Sequence, residues 1–106
     1  MNDHLWTAPA AEDLQDVVDF LVEESASAAE KFIDRIEKAA GKLSLHSQMG
    51  RVVPELAKHN IARYREVVIS PWRVFYRVDE KRVYVLAVID GRRNVEDILL
   101  RRLMRG

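Results

Sequence analysis

A chain of 106 residues with 48% hydrophobic content has room for one packed domain, expected to span residues 1–106, and its lack of cysteine excludes disulfides, thiol catalysis and thiolate metal sites. Its longest apolar run, Val83 to Ile89, is too short to cross a bilayer, and the opening Met1-Asn2-Asp3-His4 has neither the basic region nor the apolar core of a secretion signal, so a cytoplasmic protein with no membrane partner is expected. The formal net charge of zero conceals a division: residues 1–49 carry 10 acidic and 4 basic side chains, a net of −6, whereas residues 50–106 carry 13 basic and 7 acidic ones, a net of +6.

In chain order, a short strand over His4 to Thr7 precedes a helix that begins near Pro9, a residue suited to a first helical turn because its missing N–H is no loss there. Leu14, Val17, Val18, Leu21 and Val22 follow the spacing of one helical face. Glu12, Asp13, Asp16, Asp19, Glu23 and Glu24 make the remainder acidic, as a solvated face would be. After a Ser25-Ala26 joint, Ser27-Ala28-Ala29-Glu30 reads as a capping box opening a second helix. Its apolar stripe is Ala29, Phe32, Ile33, Ile36, Ala40 and Leu43, and Gly41 leaves its end open. So short a joint predicts an αα-hairpin. Residues 46–62 keep no period and read as a loop containing Gly50-Arg51 and Pro54.

From Arg63 the period changes to that of strands. Arg63 to Ile69 forms the first, Ser70-Pro71 a turn, and Trp72 to Asp79 the second. Alternation places Trp72, Val74, Tyr76 and Val78 on one side and Arg73, Phe75 and Arg77 on the other. Asp79-Glu80-Lys81 reverses the chain into Arg82 to Asp90, whose apolar run suits a central strand covered on both faces. Asn94 then caps a last helix, with Glu96 and Asp97 near its positive end and Ile98, Leu99 and Leu103 as its stripe. The order β-α-α-β-β-β-α predicts an α+β domain, an N-terminal αα-hairpin packed on an antiparallel β-sheet.

No self-contained hydrolase or redox site is legible. His4, His46 and His59 fall in different elements without metal-ligand spacing, and no glycine-rich phosphate loop exists, so neither a metal nor a nucleotide cofactor is expected. The informative constellation is arginine on strands. Arg73 and Arg77 share one side of their strand, Arg63 and Arg65 one side of theirs, and Arg92 and Arg93 follow the last strand. If those sides coincide, a row of guanidinium groups lies opposite the helical hairpin, suited to nucleic acid or to an acidic protein segment. The competing reading pairs these arginines across strands with Glu66, Asp79 and Asp90, which neutralises much of the row.

The series Glu12-Asp13-Leu14, Gly50-Arg51, Arg65-Glu66, Arg73-Val74-Phe75-Tyr76-Arg77-Val78, Val83-Tyr84-Val85-Leu86 and Ile89-Asp90-Gly91-Arg92-Arg93 resembles the RelE/ParE family of toxins from type II toxin–antitoxin systems. The likeness runs from about Trp6 to Leu103. It implies a growth-inhibiting toxin held inactive by a cognate antitoxin, as a homodimer or a heterotetramer with that partner. RelE-like members cleave mRNA on the ribosome without a metal, and ParE-like members poison DNA gyrase. On the first of these patterns Arg65, Arg73 and Arg93 match basic residues that act on RNA. A second basic position falls on Val67, the C-terminal tyrosine position near Leu99, and a position often histidine on Asp90. Cleavage at a 2′-hydroxyl needs a proton acceptor, a proton donor and charge stabilisation, and arginine supplies only the third. The resemblance therefore favours a ParE-like gyrase inhibitor, with Arg63, Arg65, Arg73, Arg77, Arg92 and Arg93 as target-binding residues. A ribosome-dependent mRNA endoribonuclease is the alternative.

Overall fold

The chain begins with a strand, β1 (Asp3–Trp6), followed by α1 (Ala8–Glu24) and α2 (Ala26–Leu45). The structure, a computed structural model, describes residues 3–104; the Met1-Asn2 opening and Arg105 of the basic half lie outside the described residues. Thr7 sets the start of α1: its hydroxyl accepts from the Ala10 N–H at 3.4 Å and donates to the Val85 carbonyl at 2.9 Å, so one side chain caps the helix and ties it to the sheet. Ser25 does two tasks at once. Its backbone N–H closes α1 on the Leu21 carbonyl at 2.9 Å, and its hydroxyl opens α2 by accepting from the Ala28 N–H at 3.0 Å. The capping box expected at Ser27 and Glu30 is therefore displaced, because the extended residue that turns the chain is Ser25 and Ser27 already lies inside α2. Gly41 does not end that helix, which runs on to Leu45 and buries Leu43 in its last turns.

The segment expected to be all loop holds two short elements, β2 (Arg51–Val52) and α3 (Pro54–Ala57). A two-residue strand and a single helical turn are too short to show a period, which is why sequence alone passes over them. Then come β3 (Tyr64–Ile69), β4 (Trp72–Asp79), β5 (Arg82–Asp90) and α4 (Val95–Met104). The Asn94 side chain accepts from the Asp97 N–H at 3.3 Å at the start of α4, as its sequence predicts.

The five strands are ordered β1-β5-β4-β3-β2. The β3-β4-β5 meander is antiparallel as expected and β2 extends it antiparallel, whereas β1 pairs parallel to β5, so the sheet is mixed. The hairpin of α1 and α2 is the long connection out of β1 and covers one face of the sheet. Ala10, Val17, Phe32 and Ile36 of the helices pack there against Ile69, Val74, Val85 and Val88, with Trp72 at the margin. Phe75, Ala87 and Ile89 point to the other face, where Leu56 of α3 and Val95 and Leu99 of α4 cover them. The alternation read along β4 thus holds, and β5 is buried on both sides. Val22 departs from the stripe expected of α1 and is half exposed, because the face that meets the sheet is the narrower one through Ala10 and Val17. Among the described residues no helix is long and apolar enough to cross a membrane.

One irregularity positions the site. Phe75 pairs with Ala87 but Tyr76 pairs with Val85, which leaves Leu86 as an extra residue in β5. Beyond the end of β1 the outer edge of β5 is served by side chains. Asp13 of α1 accepts from the Val88 N–H at 2.9 Å, and Arg102 of α4 donates to the Leu86 carbonyl at 3.2 Å. Arg102 also makes two hydrogen bonds to Asp13, at 2.5 and 3.1 Å, so α1, β5 and α4 meet at one carboxylate. That bond holds the Arg102 guanidinium above its ordinary pKa.

Candidate functional site

The register of the meander divides the six arginines expected to bind a target. Arg65 stands opposite Tyr76 and therefore points to the hairpin side, where its Nη1 donates to the Gly50 carbonyl at 2.8 Å. Its neighbour Glu66, opposite Phe75, shares the face of Arg73 and Arg77. The basic sides of β3 and β4 therefore do not coincide, since an offset of one residue in pairing reverses every side chain of a strand. Arg63 escapes this parity because it precedes β3 in a bend; its Nη2 reaches Asp79 at 2.9 Å, on the Arg77 side.

The Arg73 side chain is largely enclosed, only 12% exposed. Its Nε and Nη2 donate to Glu66 at 2.6 and 2.5 Å, and its Nη1 and Nη2 donate to Glu55 at 2.6 and 2.7 Å. The Glu66 side chain is wholly buried and receives a further bond from Arg51 Nε at 3.1 Å. The hydrogen bond from Arg73 holds the Glu55 carboxyl at about 2, well below its ordinary 4.5. Beside this network the buried Tyr76 hydroxyl accepts from the Gly50 N–H at 3.0 Å and donates to the Ser47 carbonyl at 2.8 Å, and burial pushes its pKa up. Gly50 has to be glycine here: a Cβ would lie 2.4 Å from the Glu66 carbonyl and 2.6 Å from Tyr76 Oη. Gly91 likewise lies against the Arg73 stem, 3.1 Å from where its own Cβ would be. Gly50-Arg51, Arg65-Glu66, Arg73 and Gly91 thus form one structural lock between β2, α3 and the meander.

The remaining arginines converge elsewhere. A groove of about 870 Å³ opens between the start of α1, the sheet and α4, floored by Tyr64, Arg77 and Leu86. Arg63 and Arg93 border it from the loops, Arg101 and Arg102 from α4, and Glu12 is the carboxylate in its wall. Arg77 and Arg63 share Asp79, and Arg77 also lies over the Tyr84 ring, 4.5 Å from its centroid. Among the described residues Arg93 and Arg101 make no ion pair and no side-chain hydrogen bond. Arg92 turns away to Asp90, which it holds at a pKa of about 2 chiefly through their hydrogen bond. The pairing of arginines with Glu66, Asp79 and Asp90 is therefore present, and it falls on Arg73, Arg77, Arg63 and Arg92.

Residues 5–95 match the family described as "ParE toxin of type II toxin-antitoxin system, parDE". The chain belongs to the ParE toxin family. It is 30% identical over 90 residues to Toxin ParE3 of Caulobacter vibrioides, across 84% of this chain and 86% of that protein. Its fold is similar to a chain of the chromosomal ParDE toxin–antitoxin system from P. aeruginosa, with a TM-score of 0.58 and 21% identity over 85% of this chain and 96% of that one. The ParE match stops at the first residue of α4, so Arg101 and Arg102 lie beyond it.

Four contributors to this arrangement are not legible as such in the sequence. Glu55 lies in a segment read as loop, so no period assigned it a face. Asp13 sits in a helix whose acidic face reads as solvated, and only the meeting with Val88 and Arg102 separates it from its neighbours. Arg101 and Arg102 are basic residues in the last turn of a helix, a common pattern, and their place over the sheet depends on how α4 docks. The histidines stay apart, His4 with Ser44 and His59 with Glu96.

Proposed function

We propose that this ParE-family toxin acts by binding DNA gyrase and is neutralised by a co-encoded antitoxin, and that it does not cleave RNA. The state of Arg73 carries this reading. A RelE-like role requires its guanidinium for a scissile phosphate, but it already donates to two carboxylates and is largely enclosed. Reaching RNA would leave the buried Glu66 charge with only the exposed Arg51 as partner, a cost of several kcal/mol (about 3–5) when one partner of such a pair is removed. Arg65 is turned to the opposite face. Val67, Leu99 and Asp90 stand at the positions matched to the family's remaining basic and proton-transfer groups, and neither Val67 nor Leu99 exchanges a proton. Among the three arginines matched to RNA cleavage, Arg93 alone remains outward and unpaired among the described residues.

The antitoxin is expected to bring carboxylates near the exposed arginines, where matching charge sets specificity and the rate of association. Purified toxin should abolish supercoiling by gyrase and leave mRNA intact on translating ribosomes. Added antitoxin should restore supercoiling. Normal supercoiling at saturating toxin, or cuts in the ribosomal A-site codon, would overturn this assignment.

A further inference from the structure

The sheet face beneath α4 carries a pattern that charge alone does not explain. Tyr64, Arg77 and Tyr84 are direct cross-strand neighbours on β3, β4 and β5, so aromatic, guanidinium and aromatic side chains stand abreast on one face. Neighbouring strands lie about 4.8 Å apart, which places the two rings roughly 10 Å from each other with the cation between them. The Arg77 guanidinium lies 4.5 Å from the Tyr84 centroid and that of Arg63 lies 5.7 Å from the Tyr64 centroid. An acidic peptide would be satisfied by guanidinium forks and has no use for rings between them. Planar bases stack on tyrosine and on guanidinium faces alike, and a phosphodiester backbone takes the outward-facing arginines.

The electrostatics fit the same ligand. Arg93 and Arg101, unpaired among the described residues, stand at the border of the groove, and Arg63 and Arg77 share the single carboxylate of Asp79, which is 40% exposed. Two cations on one anion leave positive charge over, and a half-exposed carboxylate is a counter-ion that a phosphate can replace. Arg65 and Arg73, the β3 and β4 residues matched to RNA cleavage, take no part, because both are engaged outside the groove.

We propose that this groove holds a single nucleic-acid strand, its phosphodiesters on Arg63, Arg77, Arg93 and Arg101 and its bases against Tyr64 in the groove and Tyr84, which adjoins it across Arg77, with Asp79 as a counter-ion that the strand displaces. Strand binding of this kind is independent of whether gyrase is the toxin's target. The test is fluorescence anisotropy of the purified toxin with labelled single-stranded DNA, single-stranded RNA of the same sequence, duplex DNA and an Asp/Glu-rich peptide, at two salt concentrations.

Either single strand should bind more tightly than the duplex and the peptide, and the tighter of the two identifies the source. The double variant Arg93→Ala/Arg101→Ala changes exposed side chains and keeps the fold, checked by an unchanged thermal melt. It should weaken strand binding at least tenfold and reduce the slope of log K against log salt by about 1.4 for two lost phosphate contacts. Asp79→Asn should instead tighten binding threefold or more, an effect that a merely structural Asp79 would not produce. Arg35→Ala, on the exposed side of α2, should change nothing. No strand binding at low salt, a duplex or peptide that binds as well as the strands, an unaffected double variant, or weaker binding by Asp79→Asn would each overturn the proposal.

Discussion

Replacing Arg73 with alanine tests whether this residue holds the fold or meets a partner. The substitution removes all four hydrogen bonds that Arg73 makes to Glu66 and Glu55. Glu55 is 27% exposed and can turn to water, but the Glu66 side chain is fully buried and would keep only Arg51, itself 61% exposed. The cost is therefore dominated by one poorly compensated buried charge, about 3–5 kcal/mol. Against a total stability of roughly 5–15 kcal/mol this is a large share. At roughly 4 °C per kcal/mol for a domain of this size, the melting temperature should fall by about 12 °C or more. Thermal and urea unfolding followed by circular dichroism measure it. Arg73→Met combined with Glu66→Leu, which removes both charges and keeps apolar volume, should recover most of the loss. An Arg73→Ala protein that melts within about 2 °C of the parent, a shift worth under 1 kcal/mol, would refute the structural role and return Arg73 to the set of partner-binding residues.

Ser25→Ala should cost about 1 kcal/mol through loss of the α2 cap, and Ser27→Ala should cost almost nothing; the opposite ranking in urea unfolding would restore the capping box read at Ser27. Gly41→Ala should stabilise the protein by up to about 1 kcal/mol, since a Cβ there meets nothing within 4 Å and the residue lies inside a helix, and a lower melting temperature would contradict the open site. Acid should unfold the protein in part through Glu55. Its folded pKa lies below the unfolded value, so its contribution is present above 4.5 and is lost as pH falls toward about 2. Urea midpoints measured down that range should fall more steeply for the parent than for Glu55→Gln, and parallel acid limbs would show that the Arg73 bond does not stabilise the carboxylate.

Local pattern determined much of this protein. Apolar spacing placed α1, α2 and α4, and strict alternation along Trp72–Asp79 assigned both faces of β4, because each of those elements is long enough to repeat its period several times. The order of short motifs pointed to the RelE/ParE family, and the family match over residues 5–95 bears this out. What sequence could not decide were relations between elements. Parity gives the sides of one strand, but whether Arg65 joins Arg73 depends on the β3–β4 register, and the pairing of Arg65 with Tyr76 sends it to the other face. The parallel seat of β1, the bulge at Leu86 and the pairing of Asp13 with Arg102 across 89 residues of chain arise when segments remote in sequence meet. An arginine's charge is written in the sequence; whether it faces a carboxylate, a tyrosine ring or water is decided by its neighbours in space.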